Sequence, residues 1–385
     1  MEKTYTIDEA MVVAIEEAKK GIGLVSPNPP VGCVILSPKF ELLAKGHHKV
    51  FGGNHAEIEA LSQVDNKSDL EGAHVVVTLE PCAHKGKTGS CAMALSKFKL
   101  ASVTYGITDP NPKVKGKGEL ILKEAGVEAS RYRPKSEFEY LIDELELLID
   151  QFKVNILEER SFIALKIASS MDGMVAHQSG QSQWITNSKS RQVAHHLRSI
   201  YECTAVGKNT LLFDDPKLNI RIEGHSEKSN KVLIIDPKGE SVGQMNNLNL
   251  TKYRSPEQIY IAVGEDHFKK VKRSKFSILR CPNKEAGLLD LEGLSKVLYQ
   301  NKIFSAFVEG GAFTVSAFAA QNFFDRFYYF VAPCILGSKT GVSWTKSKEI
   351  QDLKDKLALR LNKVEVLEGD VLLDYSRLYQ KNVII

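Results

Sequence analysis

A chain of 385 residues, of which 43% are hydrophobic and 25% are charged, holds enough apolar material for two globular domains. Its 51 basic and 47 acidic side chains leave a formal net charge of +4, which does not favour a nucleic-acid binder and is compatible with a small phosphorylated substrate. Six scattered cysteines without a disulfide-like framework, and no signal-peptide core or bilayer-spanning run, favour a cytoplasmic protein.

The first half of the chain alternates helices with strands. An acidic amphipathic helix is predicted from residue 8 to about residue 20, where Gly21 would end it. The rigid turn over 26–30 can place Asn28 beside a pocket, or it can be an ordinary turn. Strands are predicted at 31–36, 41–46, 75–79 and 101–106, and helices at 55–61 and 119–125. This alternation predicts an α/β sandwich.

A long amphipathic helix predicted over 136–153 closes the first domain, so we predict domains at 1–150 and 151–385. Asn187 is expected to cap a helix that runs to Ile200. The other elements predicted in the second domain are strands at 162–168, 204–207, 231–236, 258–263, 305–309 and 326–331, and helices at 291–300 and 312–320.

One histidine and two cysteines in the first half form a candidate metal site. His55 and Glu57 stand two residues apart, and Cys82 and Cys91 follow a predicted strand. These three ligands suit zinc and leave one tetrahedral position open, as catalytic sites do. Glu57 is badly placed to be a ligand but well placed to handle the protons of a bound water. This order of residues is that of the zinc nucleobase deaminases.

The surroundings of the cysteines make further predictions. Asn54 is expected to cap the helix that starts the site, and Pro81 to open a helix with Cys82 near its N-terminus, where a thiolate is favoured. Eight residues separate Cys82 from Cys91, whereas the common motif has two. Since the intervening loop at 83–90 is polar, basic and contains glycine, it could contact an anionic substrate.

Two other classes of protein stay open on these residues alone. A cytidine- or tRNA-adenosine-type deaminase with an unrelated C-terminal domain would share the zinc motif, although the long loop and the weak net charge argue against it. A nucleotide-binding regulator with a structural zinc would need a fourth ligand, for which His84 is the nearest candidate.

In the second half, a predicted strand runs into Glu309, Gly310 and Gly311 and then into a helix. Two glycines at this point let the backbone approach a phosphate, which a helix N-terminus also favours. An ordinary tight strand-to-helix connection would look the same. The turn does not have the G-x-G-x-x-G pattern, so a Rossmann dinucleotide fold is not indicated.

Over nearly its whole length the chain resembles the bifunctional deaminase–reductase family of bacterial riboflavin biosynthesis. The matching motifs of the first half are Pro-Asn-Pro-x-Val-Gly at 27–32, His-Ala-Glu at 55–57, Thr-Leu-Glu-Pro-Cys at 78–82, the long loop to Cys91 and Asp-Pro-Asn-Pro at 109–112. Those of the second half lie at 166–173, 179–186, 214–216, Arg221, 309–311 and 332–337. The resemblance implies a cytidine-deaminase-like α/β/α sandwich followed by an α/β domain resembling dihydrofolate reductase.

The first activity implied is hydrolysis of the exocyclic amine of a diaminopyrimidinone ribosylamine 5′-phosphate. His55, Cys82 and Cys91 would bind Zn²⁺, and Glu57 would be the catalytic acid and base. The candidates for gripping the substrate are Asn28, His47, His84 and Lys87. Lys87 stands where the family usually has an arginine, and Gly89-Ser90 replaces a pair of prolines.

The second activity implied is reduction of the ribosyl group to a ribityl chain with NADPH. The positions expected at the cofactor are Ala168, Trp184, Thr210, Asp214 and Gly311. Those expected at the substrate are Ser182, Arg198, Leu218, Arg221 and Glu309, where the guanidinium forks of the two arginines suit the 5′-phosphate. Pro237 stands where the family has a serine at the cofactor. The protein is expected to be a homo-oligomer that binds neither nucleic acid nor membranes.

Overall fold

The computed structural model describes residues 3–83, 89–179, 185–222, 230–271, 274–285, 287–345 and 352–378. The chain divides into two compact units, Met1–Glu159 and Arg160–Ile385. Their border lies somewhat later in the chain than the predicted boundary after residue 150. In the described ranges, no helix has the length and the apolar character needed to cross a bilayer.

Within the described part of the first unit, five strands form one sheet in the order β2-β1-β3-β4-β5. The strands are β1 (Gly32–Leu36), β2 (Leu42–His47), β3 (His74–Leu79), β4 (Ser102–Ile107) and β5 (Glu128–Arg131). The helices are α1 (Ile7–Lys19), α2 (Ala56–Ser62), α3 (Cys91–Leu95), α4 (Lys117–Glu124), α5 (Tyr140–Leu148) and α6 (Asp150–Glu158). Strands β1 to β3 pair antiparallel, and β3 to β5 pair parallel.

Helices cover both faces of this sheet. Cys33 and Ile35 of β1 pack in one core with α2, α3 and α4, whereas Val34 and Leu36 pack in a second core with α1 and α5. All five residues of β1 are buried, as expected for a strand that is covered on both sides. The predicted α/β/α sandwich is confirmed.

The predicted helix over 136–153 is wrong in one respect, because two helices occupy this stretch. Ile149 separates α5 from α6 with φ −110° and ψ 6°, outside the helical region. Its side chain is only 2% exposed, so the apolar pattern continues through the break. Periodicity of hydrophobic residues therefore could not reveal the interruption.

In the described residues of the second unit, a nine-stranded sheet has the order β11-β10-β9-β8-β14-β6-β15-β18-β17. Its strands are β6 (Phe162–Ser170), β8 (Cys203–Gly207), β9 (Lys231–Ile235), β10 (Ile259–Gly264), β11 (Ser277–Cys281), β14 (Ser305–Val308), β15 (Arg326–Ala332), β17 (Leu359–Leu367) and β18 (Asp370–Arg377). Two small pairs are formed by β7 (Met174–His177) with β16 (Gly341–Ser343), and by β12 (Asn283–Glu285) with β13 (Leu288–Leu289).

The helices of this unit are α7 (Ser188–Ile200), α8 (Lys208–Asp214), α9 (Asn249–Tyr253), α10 (Glu265–Val271), α11 (Leu291–Gln300) and α12 (Ala312–Ala320). Neighbouring residues of the central strands point to opposite cores, as Leu233 does relative to Val232 and Ile234. From β11 to β15 the strands are parallel, and β18 and β17 complete the sheet antiparallel. The α/β prediction is confirmed here too.

Candidate active sites

Three metal-binding side chains converge in the first unit. The potential ligand atoms of His55, Cys82 and Cys91 all lie within 4.8 Å of one another. No fourth histidine, cysteine or acidic residue belongs to this group among the described residues. Nδ1 of His55 is 3.6 Å from Sγ of Cys82 and 3.4 Å from Sγ of Cys91. Ordinary zinc–sulfur and zinc–nitrogen bonds in a tetrahedron would separate such donors by about 3.6 Å. The donor set and its spacing therefore fit zinc with one position left open.

The start of α2 differs from the prediction. His55, not Asn54, is the N-cap residue, and its side chain makes no capping hydrogen bond, so the ring can face the cysteines. The side-chain amide of Asn54 instead donates to the carboxylate of Glu59 at 3.2 Å. The backbone carbonyl of Asn54 accepts from Nδ1 of His48 at 2.8 Å. Asn54 thus holds His48, a residue that the sequence had not indicated.

The helix near Cys82 also begins later than predicted. Residues 81–83 are not helical, and α3 starts at Cys91, where Ser90 is the N-cap. The Cys91 amide nevertheless donates to Sγ of Cys82 at 3.3 Å, and the Ala92 amide donates to the Cys82 carbonyl at 3.2 Å. Hydrogen bonds from Cys91, together with the neighbouring His55, lower the pKa of the Cys82 thiol. The first turn of α3 therefore favours the thiolate of Cys82. The prediction had assigned this effect to a helix opened by Pro81, and no helix begins there.

Glu57 lies in the first turn of α2 and faces a cavity of about 250 Å³. Its side chain is 3% exposed, and this burial, with the charge of Cys82, raises the pKa of the carboxyl to about 7. A carboxyl with such a pKa can both accept and release a proton near neutral pH. Among the side chains that share the cavity are Asn28, His48, His55 and Cys82.

Of the candidate substrate residues, Asn28 lines this cavity, whereas His47 is not among the described residues that line it. The Asn28 amide lies 3.2 Å from Nε2 of His48, a 2% exposed histidine whose ring makes an edge contact with His55. His47 instead lies 3.2 Å from the carboxylate of Glu17. His48 therefore takes the place at the cavity that was expected of His47. The other two candidates, at positions 84 and 87, lie outside the described residues.

Glu80 is a further residue that sequence reasoning missed, although it belongs to the motif at 78–82. Its carboxylate is 2% exposed and accepts amide hydrogen bonds from Asp109 at 3.2 Å, Gly116 at 3.0 Å and Gly118 at 3.0 Å. Asp109 and Asn111 line the same cavity. Glu80 thus fixes the turn at 109–112 against the site.

In the second unit, Arg198 of α7 pairs with Glu309 at the end of β14. The guanidinium donates from Nε to Oε1 at 2.6 Å and from Nη2 to Oε2 at 3.1 Å. Lys166 is the neighbour of Glu309, because Leu165 of β6 pairs with Val308 of β14. Although burial opposes ionisation, Arg198 and Lys166 hold the pKa of Glu309 below its usual value. Lys166 was not among the predicted site residues.

The other predicted substrate residues have different surroundings. The Arg221 amide lies 3.3 Å from Nδ1 of His195, and the Arg221 guanidinium lies 3.4 Å from Nε2. Burial, followed by the charges of Arg198 and Arg221, lowers the pKa of His195 to about 4, so this ring is neutral at physiological pH. Leu218 is 6% exposed, and its carbonyl accepts from Arg254 at 2.7 Å, so it shapes the turn before Arg221. Residue 182 lies outside the described residues.

A cavity of about 450 Å³ lies beyond the carboxyl ends of β8 and β9 and is lined by Thr210 and Gly311. The Gly311 amide donates to Oγ1 of Thr210 at 3.1 Å. A Cβ atom on Gly207 would lie 2.3 Å from Oγ1 of Thr314, so only glycine allows this close approach. The volume and the exposed backbone fit a bound dinucleotide.

Two of the predicted cofactor positions, Ala168 and Asp214, are not among the described residues that line this cavity. Ala168 lies on β6 opposite Phe330 of β15, and Asp214 is the last residue of α8. Burial raises the pKa of the Asp214 carboxyl. Position 184 lies outside the described residues. Pro237, which replaces the family's serine, does line the cavity.

Comparison with known proteins finds a family match for each half of the chain. Residues 4–107 match the family model of the cytidine and deoxycytidylate deaminase zinc-binding region, and residues 161–373 match that of the RibD C-terminal domain. The second match excludes an unrelated C-terminal domain, which the alternative deaminase would require.

Full-length relatives and solved structures extend these matches. The chain is 33% identical over 367 residues to the riboflavin biosynthesis protein RibD of Aquifex aeolicus, covering 95% of this chain and 97% of the relative. It is 30% identical over 334 residues to RibD of Escherichia coli, covering 85% and 88%. The structure of Acinetobacter baumannii RibD superposes with a TM-score of 0.81 at 30% identity, covering 97% of this chain and 99% of that one.

The Thermotoga maritima diaminohydroxyphosphoribosylaminopyrimidine deaminase/5-amino-6-(5-phosphoribosylamino)uracil reductase superposes with a TM-score of 0.80 at 30% identity, covering 97% and 99%. A deaminase zinc-binding region, a RibD C-terminal domain and near-complete coverage by RibD proteins thus occur together in one chain. The chain belongs to the RibD family of bifunctional riboflavin biosynthesis enzymes, which combine a zinc-dependent deaminase with an NADPH-dependent reductase.

Proposed function

We propose that residues 1–150 deaminate 2,5-diamino-6-ribosylamino-4(3H)-pyrimidinone 5′-phosphate, and that residues 151–385 then reduce the ribosyl group of the product to a ribityl chain. The observation that carries this proposal is the zinc-fitting group of His55, Cys82 and Cys91, which shares a cavity with the buried Glu57. The reductase half is supported by the Arg198–Glu309 pair and by the separate dinucleotide-sized cavity in the same unit.

In the deaminase, His55, Cys82 and Cys91 would hold the zinc ion. The metal supplies Lewis-acid activation of a water molecule at its open position. Glu57 would take one proton as the water oxygen bonds to the ring carbon and deliver it to the ring nitrogen. It would then move the second proton of that oxygen to the amine, so that the carbon–nitrogen bond breaks, a carbonyl forms and ammonia leaves. Burial raises the pKa of the Glu57 carboxyl, which makes it a stronger proton acceptor than an exposed carboxylate.

Asn28 and His48 orient the pyrimidine in this proposal. Nδ1 of His48 donates to the Asn54 carbonyl, which leaves Nε2 to accept from the Asn28 amide. The amide orientation of Asn28 is thereby fixed before substrate binds. We propose that Lys87 and His84 contribute contacts from the loop between the two cysteines.

In the reductase, Thr210 and Gly311 would contact the cofactor, with Ala168, Trp184 and Asp214 as further proposed contacts. NADPH supplies the hydride for the anomeric carbon. Arg198 fixes the Glu309 carboxylate beside the Lys166 ammonium, so that the two groups can hold the ribose hydroxyls and provide a proton. Arg221 suits the 5′-phosphate because a guanidinium fork matches phosphate oxygens. Ser182 and Leu218 complete the proposed substrate contacts.

A coupled assay of the purified protein on the diaminopyrimidinone ribosylamine phosphate tests both halves. Ammonia release without NADPH, followed by NADPH consumption once it is added, is the expected result. Ammonia release without NADPH consumption would contradict the reductase half alone. No ammonia from zinc-loaded protein would contradict the proposed substrate.

We also propose that the protein acts in the cytoplasm on small molecules, without nucleic acid, and as a homo-oligomer. All six cysteines lie in the described ranges and are free thiols, which suits a reducing compartment. The strand β17 exposes Leu361, Val364 and Val366, and it is the last strand of the sheet among the described residues, a position that favours pairing between chains. Sedimentation of a Val364→Lys/Val366→Lys variant should show a shift toward monomer, and an unchanged mass would exclude this edge.

A further inference from the structure

The cavity that Glu57 faces is completed by a helix from outside the zinc-binding region. Phe152 and Ile156 of α6 both line this cavity. Residues 4–107 match the deaminase zinc-binding region and residues 161–373 match the RibD C-terminal domain, so α6 lies between the two matched regions. The zinc motif alone therefore does not explain why two apolar side chains of α6 lie at the site.

The break at Ile149 separates two uses of one apolar stripe. Leu145 and Leu148 of α5 pack in the core with α1. With about 3.6 residues per turn, Phe152 and Ile156 continue the same stripe along the sequence. Beyond the break, however, these two side chains line the cavity. The interruption that periodicity could not reveal thus marks the point where the stripe passes from the core to the site.

Contacts on two sides hold α6 at the cavity. Lys153 forms an ion pair with Glu146 of α5, across the break. Nε2 of Gln151 donates to Oγ of Ser26 at 3.4 Å, at the start of the turn that carries Asn28. Since α6 is tied both to α5 and to a turn with a proposed substrate contact, its place at the cavity is set before substrate binds.

The lining of the cavity is of two chemical kinds. Asn28 and Asn111 are among the polar side chains, whereas Val114, Phe152 and Ile156 are apolar. A pyrimidine ring has hydrogen-bonding groups around its edge and an apolar π face on each side, so it needs both kinds of lining. The volume of about 250 Å³ lies below the roughly 300–1,000 Å³ of sites for drug-sized ligands, and it suits a single ring. Phe152 and Ile156 are only partly buried, which leaves surface on each for contact with such a ring.

We propose that Phe152 stacks on a face of the pyrimidine ring and that Ile156 packs beside it, so that α6 forms an apolar wall of the deaminase site. This inference rests on the proposed deaminase function and adds two substrate contacts to it. Stacking accepts any flat heterocycle, because every base has a π face, and the polar side chains then select the pattern at its edge. The working deaminase accordingly extends through α6, past the predicted boundary at residue 150, in keeping with the compact unit that ends at Glu159.

Steady-state ammonia release by the zinc-loaded, full-length protein tests the apolar wall, with the diaminopyrimidinone ribosylamine phosphate as substrate and no NADPH. We expect Phe152→Ala to raise KM by about ten- to a hundred-fold, the effect of losing one base–aromatic stack. Ile156→Ala should raise KM by about three- to ten-fold, and Phe152→Leu, which keeps an apolar side chain, should lie between the wild type and Phe152→Ala. The kcat of all three should stay within about three-fold, because a contact made equally in the ground and transition states changes KM alone.

Leu157→Ala is the matched control, because Leu157 is the next residue of α6 and its side chain is 54% exposed. It should keep the wild-type KM, and every variant should keep the wild-type zinc content. If Phe152→Ala does not fold, Phe152→Leu and Ile156→Ala decide the question.

Wild-type KM values in the folded Phe152 and Ile156 variants would overturn the apolar wall. So would an equal rise of KM in Leu157→Ala, or a loss of zinc and kcat without a change in KM, since either would show that α6 only supports the fold. If the wild-type protein releases no ammonia, the proposed substrate itself fails, which is a different result.

Discussion

The two candidate active sites are assembled in opposite ways. His55, Cys82 and Cys91 come from one short span, and the starts of α2 and α3 bring them together. Arg198 and Glu309, in contrast, are 111 positions apart, and they meet only because α7 packs beside the end of β14 in the folded unit. The first site is a local motif with a buried acid, Glu57, and the second is a group of opposite charges that neutralise one another. Damage to the first should therefore affect chemistry, and damage to the second should affect both chemistry and stability.

The largest effect should follow from the loss of a proposed zinc ligand. Cys82→Ser should lower the zinc content from about one ion per chain to background and abolish ammonia release, because a hydroxyl is a poor substitute for a thiolate. Cys334→Ser is the matched control, since Cys334 is another partly exposed thiol and is not in the metal group. Elemental analysis of both variants measures the effect. Full zinc in Cys82→Ser would contradict the ligand assignment.

Glu57→Gln should lower the deaminase rate by about 10²- to 10⁴-fold, the usual contribution of a general acid–base group. The zinc content should be unchanged, because the amide keeps the shape of the side chain and Glu57 is not a proposed ligand. NADPH consumption on the already deaminated substrate should also be unchanged. A variant that releases ammonia at the wild-type rate would show that another group transfers the proton.

Arg198→Met should damage the second site twice. It leaves the Glu309 carboxylate buried without its main partner, which should cost about 3 kcal/mol of unfolding free energy, and it should lower reductase kcat/KM by at least ten-fold. Arg326→Met is the matched control, because Arg326 pairs with Asp374 at 2.7 Å with similar burial in the same unit. The control should lose comparable stability but keep the substrate KM. Equal effects of both variants on KM would show that Arg198 acts only through stability.

The smallest effect concerns pH. His195 has a pKa of about 4 in the folded protein, against 6.5 when unfolded, so the unfolded state binds the extra proton between these values. Stability from this group is therefore present above pH 6.5 and is lost as the pH falls toward 4. Between pH 7 and pH 5 we expect a loss of about 1 kcal/mol after allowance for solvent screening, and His195→Gln should remove it. An NMR titration of His195 near pH 6.5 would contradict this.

The sequence predicted what depends on local pattern. Helices α11 and α12 occupy the predicted residues, and the three proposed zinc ligands lie together as the sequence motif indicated. It did not predict the strands β17 and β18, although the alternating apolar and polar residues of β17 are a strand signal that the sequence contains. It missed Lys166 because a single lysine in an apolar strand becomes meaningful only when the register places it beside Glu309. The choice between His47 and His48 depended on which side of a strand end faces the cavity, and periodicity does not settle that.

The beginning of the second unit has a practical consequence for expressing the reductase alone. Arg160 donates from Nη1 and Nη2 to the carboxylate of Asp325 at 2.8 and 2.7 Å, and both side chains are 3% exposed. Asp325 also accepts from the Ile163 amide at 2.7 Å, so one acid fastens the first strand to the centre of the sheet. A fragment that starts at Ser161 would remove the arginine and leave a buried carboxylate, whereas one that starts before Arg160 would keep it. One residue at the cloning boundary should therefore decide whether the isolated reductase accumulates as folded protein.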